Sequence, residues 1–137
     1  MGQGSIIGYE INEKTCQISF YNDQELEPDT LEVDSDNYQI PLIIGKLRDT
    51  WAYGKEAKRL VTIKEGFTVT RLLSKSLAGD KIEFGEETYD AVWLLSQFIQ
   101  MSLQPFPEIE GIVFTVPALT EELAQMLRGI AVRMNID

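Results

Sequence analysis

Two carboxylates near the N-terminus, Glu10 and Glu13, are the first residues whose type and spacing could do chemistry. Carboxylate oxygens are the ligands that Mg²⁺ and Ca²⁺ prefer, so the pair is a candidate metal site. Charged side chains are far more often solvated surface groups, and we favour that interpretation and expect no metal. Thr70 and Arg71 are a second candidate, a phosphate clamp, although an arginine paired with an acidic neighbour is the commoner arrangement in so acidic a chain.

The sequence contains few residues that are suited to nucleophilic catalysis. The chain has no histidine, which excludes Ser-His-Asp triads, Cys-His dyads and histidine metal sites. The single cysteine, Cys16, alternates with Ile18 and Phe20, so we expect it in the core rather than as a nucleophile. We therefore predict no catalytic residues.

Charge and length set the class of protein. The chain has 137 residues, the size of one domain, with 12 basic and 22 acidic side chains and a net charge of −10. A chain this acidic is a poor ligand for nucleic acid or an anionic membrane. No apolar run approaches the about 20 residues that a membrane helix needs, and a lone cysteine suits a reducing compartment, so we expect a cytoplasmic protein. Residues 1–5 are interpreted as a leader or a remnant of expression, outside the fold.

Alternating and β-branched patterns predict a strand-rich first half. The predicted strands cover residues 6–11, 15–21, 31–33, 40–44, 51–53, 81–84 and 112–116. The first two form a hairpin around the turn Asn12-Glu13-Lys14, and the third completes an antiparallel meander. Helices are predicted over residues 55–60, 86–103 and 120–134, with an extended piece and a helical turn between residues 67 and 77. The apolar run that begins at Ile112 and ends at Val116 predicts a strand covered on both faces.

The order of these elements predicts an α/β fold with a mixed sheet. An antiparallel meander, a crossover helix, a buried strand parallel to the first one and a final helix make up a ribonuclease-H-like half-domain. Residues 38–84 would form a small inserted subdomain within the lobe that covers residues 6–137.

Several segments resemble, in the same order, motifs of the seventy-kilodalton heat-shock chaperone ATPases (DnaK type). Residues 112–118, Ile-Val-Phe-Thr-Val-Pro-Ala, resemble that family's strand–proline–helix, and residues 7–11 stand where it has Ile-Gly-Ile-Asp-Leu-Gly-Thr-Thr. Residues 40–44 resemble its proline-led strand, and residues 53–58 resemble its turn into a helix. Arg71 and the two leucines after it resemble its arginine-leucine-isoleucine.

The resemblance implies that this chain is the N-terminal part of an actin-like ATPase domain. In that family two lobes clamp ATP and magnesium, and the second lobe would lie beyond Asp137. Family positions that face the nucleotide fall on Gly8, Glu10, Asn12, Glu13, Lys14 and Thr70. ATP and magnesium would be cofactors only of a longer chain that retains the site, and none is expected for this chain.

Departures from the family pattern predict that nucleotide chemistry is lost. The family's phosphate loop is small and neutral so that backbone N–H groups approach the phosphates, whereas Glu13 is bulky and anionic. Glu10 replaces the family's aspartate, and Thr70 stands where the family has its catalytic lysine. We therefore expect a vestigial nucleotide site and no ATPase activity from this chain alone.

Two functional hypotheses remain open. The first is a heat-shock-chaperone-like fragment with a role in binding or assembly, whose partner is another protein or the rest of its own ATPase domain. The alternative is a self-contained acidic protein-interaction module unrelated to nucleotides. Under the first hypothesis the edge of the strand from Ile112 to Val116 must be covered by a second copy, by the leader or by a loop.

Overall fold

The computed structural model describes residues 5–21, 29–30, 39–106, 108–117 and 120–134, which form a mixed α/β structure. The strands are β1 Ser5–Ile11, β2 Thr15–Tyr21, β3 Asp29–Thr30, β4 Gln39–Pro41, β5 Ile44–Leu47, β6 Thr50–Tyr53, β7 Phe67–Val69, β8 Lys81–Phe84, β9 Glu87–Asp90 and β10 Ile109–Thr115. The helices are α1 Lys55–Ile63, α2 Leu72–Ala78, α3 Ala91–Ser102 and α4 Glu121–Arg133. Within these ranges no helix is long and apolar enough to cross a membrane.

The chain divides into two compact units. The first unit contains Met1–Asn12, Cys16–Ile40 and Leu103–Asp137. The second unit contains Glu13–Thr15 and Pro41–Ser102. The predicted insertion at residues 38–84 falls mostly in the second unit, which continues to the end of α3.

The first unit is built on a sheet to which five of the described strands belong. Its order is β10-β1-β2-β3, and β4 also pairs with β2. β1 and β2 form the predicted antiparallel hairpin, with Tyr9 opposite Ile18, and β10 runs parallel to β1 as predicted. Ser5, assigned in the sequence to a leader, is the first residue of β1. The predicted strand at residues 31–33 lies outside the described residues.

Alternation along β1 and β2 places one face of the sheet in the core. Ile7, Tyr9 and Ile11 have no solvent exposure, and neither has Ile18 on the neighbouring strand. Helix α4 buries Leu123, Leu127 and Ile130, which recur at helical spacing. Thr120 caps this helix, because its side chain accepts a hydrogen bond from the Leu123 amide at 3.1 Å.

The prediction that the strand from Ile112 to Val116 is covered on both faces is wrong. No residue of β10 is fully buried, and Val113 is 60% exposed. Among the described strands β10 has one neighbour, β1, so it lies at the edge of the sheet. Its apolar composition therefore marks an edge strand rather than a strand enclosed by helices.

The second unit contains two small sheets and three helices. β5 lies between β6 and β7, with antiparallel pairing on both sides, and α1 packs against all three strands. α2 packs against α3. The aromatic rings of Trp51, Tyr89 and Trp93 contact one another, with centroid distances of 5.3 to 5.7 Å. The Lys46 ammonium lies 5.2 Å from the Trp51 ring centroid and 2.9 Å from Glu87.

The predicted continuous strand over residues 40–44 is wrong. It divides into β4 and β5 because the chain turns at Leu42, where the Ile43 amide donates to the Pro41 carbonyl at 2.9 Å. Pro41 has no amide to donate to a ladder, and the Leu42 amide donates instead to the Lys14 carbonyl at 2.8 Å.

The predicted helix over residues 86–103 begins too early. Residues 87–90 form β9, which pairs with β8 through a two-residue loop at Gly85 and Glu86, and α3 starts at Ala91. Gly85 has a φ of +67°, the left-handed conformation that such tight loops require. The ion pair of Lys81 with Asp90, at 3.1 Å, joins the two ends of this hairpin.

Candidate functional site

A cavity of about 370 Å³ lies at the bend between β1 and β2, within the second unit. We call it the bend cavity. Its lining residues are Glu13, Lys14, Thr15, Pro41, Leu42, Ile43, Lys58, Thr70 and Arg71. Four segments that are distant in sequence therefore contribute to one cavity.

Backbone hydrogen bonds position the walls of the bend cavity. The 2.8 Å bond from the Leu42 amide to the Lys14 carbonyl ties the apolar wall to the bend. Lys58 is placed by the first turn of α1, where its amide donates to the Gly54 carbonyl at 3.0 Å. Arg71 precedes α2 with a φ of +56°, a conformation that non-glycine residues adopt rarely.

Glu13 is held by a side chain on α2. Its Oε1 accepts a hydrogen bond from the Ser74 hydroxyl. Its Oε2 is shielded from solvent and accepts no hydrogen bond from any residue that the structure describes. A carboxylate oxygen that has lost its water without gaining a donor is energetically costly, and it attracts any donor that can reach it.

The electrostatics of the bend cavity differ from those of the chain as a whole. Lys14, Lys58 and Arg71 bring three cations to a lining with one carboxylate, in a chain of net charge −10. Neither Lys58 nor Arg71 forms an ion pair with a residue in the described ranges. Thr15 and Thr70 add hydroxyls that can donate or accept hydrogen bonds. The lining can thus bind a polar ligand that has both donors and acceptors.

Of the residues singled out in the sequence, the structure brings Glu13, Lys14, Thr70 and Arg71 together in the bend cavity. Gly8, Glu10 and Asn12 lie on β1 or directly after it, in the first unit. Glu10 is exposed and stands in register between Gln17 of β2 and Thr115 of β10. No group of three or more acidic, cysteine or histidine side chains suited to a metal occurs in the described part of the chain.

Gly8 has a local role in strand pairing. It stands opposite Ser19, whose hydroxyl donates to the Gly8 carbonyl at 3.4 Å. A Cβ added at Gly8 would lie 2.5 Å from the Ser19 Oγ. The missing side chain at position 8 therefore leaves room for a hydroxyl on the neighbouring strand.

Cys16 lies in the core, as predicted. It is 1% exposed, and its thiol donates to the Tyr9 hydroxyl at 3.6 Å. Burial raises the pKa of the Cys16 thiol to about 12, because the thiolate would lose its hydration there, while the hydrogen bond with Tyr9 acts in the opposite direction. The thiol is therefore protonated and unreactive at neutral pH.

Sequence reasoning missed Ser74 and did not assign a role to Lys58. Ser74 lies 61 positions from its partner Glu13, and no spacing rule links two such residues. Lys58 belongs to the turn-and-helix motif of residues 53–58. The sequence therefore indicated that Lys58 lies in the first turn of a helix that begins after Gly54, but not that it lines a cavity.

The comparison with known families bears on most of the chain. Residues 27–137 match the family described as "Family of unknown function (DUF5716) C-terminal". The chain belongs to this family. No curated protein matches the chain significantly. Lys58, Thr70 and Arg71 lie inside the matched range, whereas the bend residues Glu13 and Lys14 precede it.

Proposed function

We propose that this chain is part of a heat-shock-chaperone-like domain with an actin-like, ribonuclease-H-like fold, and that it acts in binding or assembly without hydrolysing ATP by itself. The strand order β10-β1-β2-β3, with β10 parallel to β1, agrees with the arrangement that the resemblance implies. One observation carries the proposal: the Glu13 carboxylate is fixed at the hairpin bend by Ser74.

The position of Glu13 opposes the binding of a triphosphate. In the resembled family the bend is small and neutral, so that its amides contact phosphate oxygens. Two like unit charges at contact distance cost about 4 kcal/mol at an effective dielectric of about 20. Lys14, Lys58 and Arg71 line the same cavity and act against this repulsion. The bulk of the Glu13 side chain still stands at the bend, where the resembled family has small residues.

With Thr70 at this position, the chain also lacks a cation that phosphoryl transfer needs. The resemblance places the catalytic lysine of the chaperone ATPases at this position, and a threonine hydroxyl carries no charge to stabilise the transferring group. ATP and magnesium would then bind only in a longer chain that supplies the second lobe.

Phosphate release from magnesium-ATP by the purified chain tests this proposal. We expect no release above the rate without protein. Micromolar ATP binding followed by turnover would overturn the proposal, provided that Thr70→Glu, which places a second carboxylate in the bend cavity, abolishes the turnover. Turnover that this variant retains comes from a contaminating ATPase, and the wild-type chain is then inactive as proposed.

A second candidate function, an acidic protein-interaction module, is favoured by the distribution of charge. The first unit has 13 acidic and 2 basic residues, whereas the second unit has 9 acidic and 10 basic residues. The net negative charge of the chain thus comes from the first unit alone. Such a unit suits a partner with a basic surface.

The edge strand β10 is the surface through which either function would recruit a protein. Its outer edge has no neighbour among the described strands, and an unpaired edge is a template for a further strand. Sedimentation velocity over a range of concentrations distinguishes a second copy from a different partner. A chain that stays monomeric while amides of β10 exchange rapidly, at Val113 and Thr115, would contradict pairing with a second copy.

A further inference from the structure

We propose that the bend cavity binds a small zwitterion, a free amino acid or a molecule of similar size that has both an ammonium and a carboxylate group. The inference deepens the proposed binding role and rests on it, because both require the Glu13 carboxylate to occupy the bend.

Glu13 has an acceptor oxygen without a donor among the described residues. Oε2 of Glu13 has lost its solvent contact, and no described residue donates to it, while Oε1 is bound to Ser74. An ammonium group offers three N–H donors and a positive charge, so it satisfies this oxygen better than a neutral donor does.

The bend cavity also has two cations without an anionic partner among the described residues. Lys58 and Arg71 line the same cavity, and neither forms an ion pair with a residue that the structure describes. A guanidinium group binds a carboxylate through two parallel hydrogen bonds, which fixes the orientation of the ligand as well as adding affinity. Lys58, on a different helix from the one that follows Arg71, supplies a second positive charge.

The dimensions of the cavity favour a small ligand with an aliphatic side chain. About 370 Å³ is near the lower end of the range for small-molecule sites. Pro41, Leu42 and Ile43 form an apolar wall, and Thr15 and Thr70 supply hydroxyls. An aliphatic amino acid has an apolar side chain, an ammonium group and a carboxylate group. These three groups match the apolar wall, the Glu13 carboxylate and the basic residues of the lining.

Ligands of a single charge fit the lining less well. An anion is drawn to Lys58 and Arg71 but repelled by Glu13, and it leaves Oε2 of Glu13 without a donor. A cation satisfies Glu13 but is repelled by the basic residues of the lining. A zwitterion places each of its charges against the opposite charge of the cavity.

Calorimetric titration with the standard L-amino acids tests the inference directly. We expect at least one aliphatic amino acid to bind. Its N-acetyl derivative, which keeps only the carboxylate, and its amide, which keeps only the ammonium, should each bind about tenfold more weakly, since each loses one charged contact. Absence of binding by every amino acid would overturn the inference. Equal or tighter binding of the N-acetyl derivative would replace it with a simple anion site.

Variants assign the binding to the cavity. Arg71→Gln and Lys58→Gln change exposed side chains and should each weaken binding about tenfold. Lys64→Gln is the matched control, because Lys64 is an exposed basic residue at the end of α1 that does not line the cavity. An effect of Lys64→Gln as large as that of Arg71→Gln would contradict the assignment. If no amino acid binds and no ATP is hydrolysed, this inference fails while the proposed function stands.

Discussion

The hydroxyl of Ser74 on α2 donates a hydrogen bond to Oε1 of Glu13 at the bend between β1 and β2. The bond joins two residues 61 positions apart and orders the carboxylate within the second unit. A carboxylate fixed at the bend opposes the entry of a phosphate group, so the proposed binding role without ATP hydrolysis depends on this contact.

Ser74→Ala should destabilise the chain. The substitution leaves Oε1 of Glu13 without its donor, and a lost hydrogen bond of this kind costs about 1 kcal/mol. Urea denaturation measures the change in the free energy of unfolding. Ser76→Ala is the control on the same helix, because the buried Ser76 hydroxyl has no hydrogen-bond partner among the described residues. That variant should be neutral or stabilising. Equal destabilisation by both variants would contradict the role of the contact with Glu13.

The stability of the chain should fall at alkaline pH through Cys16. Its thiol pKa is raised in the folded state from 9.0 to about 12, so the folded chain holds the proton more tightly than the unfolded chain. This contribution is fully present below pH 9 and is lost as the pH rises towards 12. Its slope is at most about 1.4 kcal/mol per pH unit.

Comparison with Cys16→Ser isolates this contribution. Serine does not titrate in this range and keeps a donor for the Tyr9 hydroxyl. The difference in unfolding free energy between the wild type and the variant, measured by urea denaturation, should shrink as the pH rises above about 9. A difference that stays constant with pH would show that the thiol titrates normally in the folded chain.

Gly66→Ala should destabilise the chain more than Gly79→Ala. Both glycines have a φ of +71°, so both substitutions strain the backbone by about 1 kcal/mol. A Cβ at Gly66 would also lie 2.6 Å from the Lys46 carbonyl oxygen, whereas a Cβ at Gly79 meets no atom within 4 Å. Thermal unfolding compares the two variants. Equal shifts in Tm would mean that the contact between a Cβ at position 66 and the Lys46 carbonyl oxygen does not affect stability.

Lys64→Gly should stabilise the chain. Lys64 ends α1 in the left-handed conformation, with φ 57° and ψ 42°, which glycine adopts without a Cβ clash. We expect a gain of about 1 kcal/mol in the free energy of unfolding. Lys64→Ala removes the same charge but keeps the Cβ, so it should gain nothing. Stabilisation by both variants would point to charge rather than backbone conformation.

Local patterns in the sequence predicted much of the fold. Alternation of Cys16, Ile18 and Phe20 predicted β2, and Cys16 and Ile18 are buried on one face of the hairpin. The cap at Thr120 and the apolar stripe after it gave α4. The start of α3 was missed because the acidic pair at residues 86–87 suited a helix N-terminus, and the two-residue loop at Gly85 that makes a hairpin was overlooked.

The candidate site was predictable only in part. The resemblance singled out Glu13, Lys14 and Thr70, which share the bend cavity. The bond from Ser74 and the contribution of Lys58 depend on how two helices are placed against the bend. That placement is a property of tertiary packing, which no short motif encodes.

Crystals of the chain soaked with a non-hydrolysable ATP analogue and magnesium test the central claim most directly. The Glu13 carboxylate should remain bound to Ser74, with no ordered triphosphate against the backbone amides of residues 12–14. Ordered phosphate density in contact with those amides, with Glu13 displaced, would contradict the account.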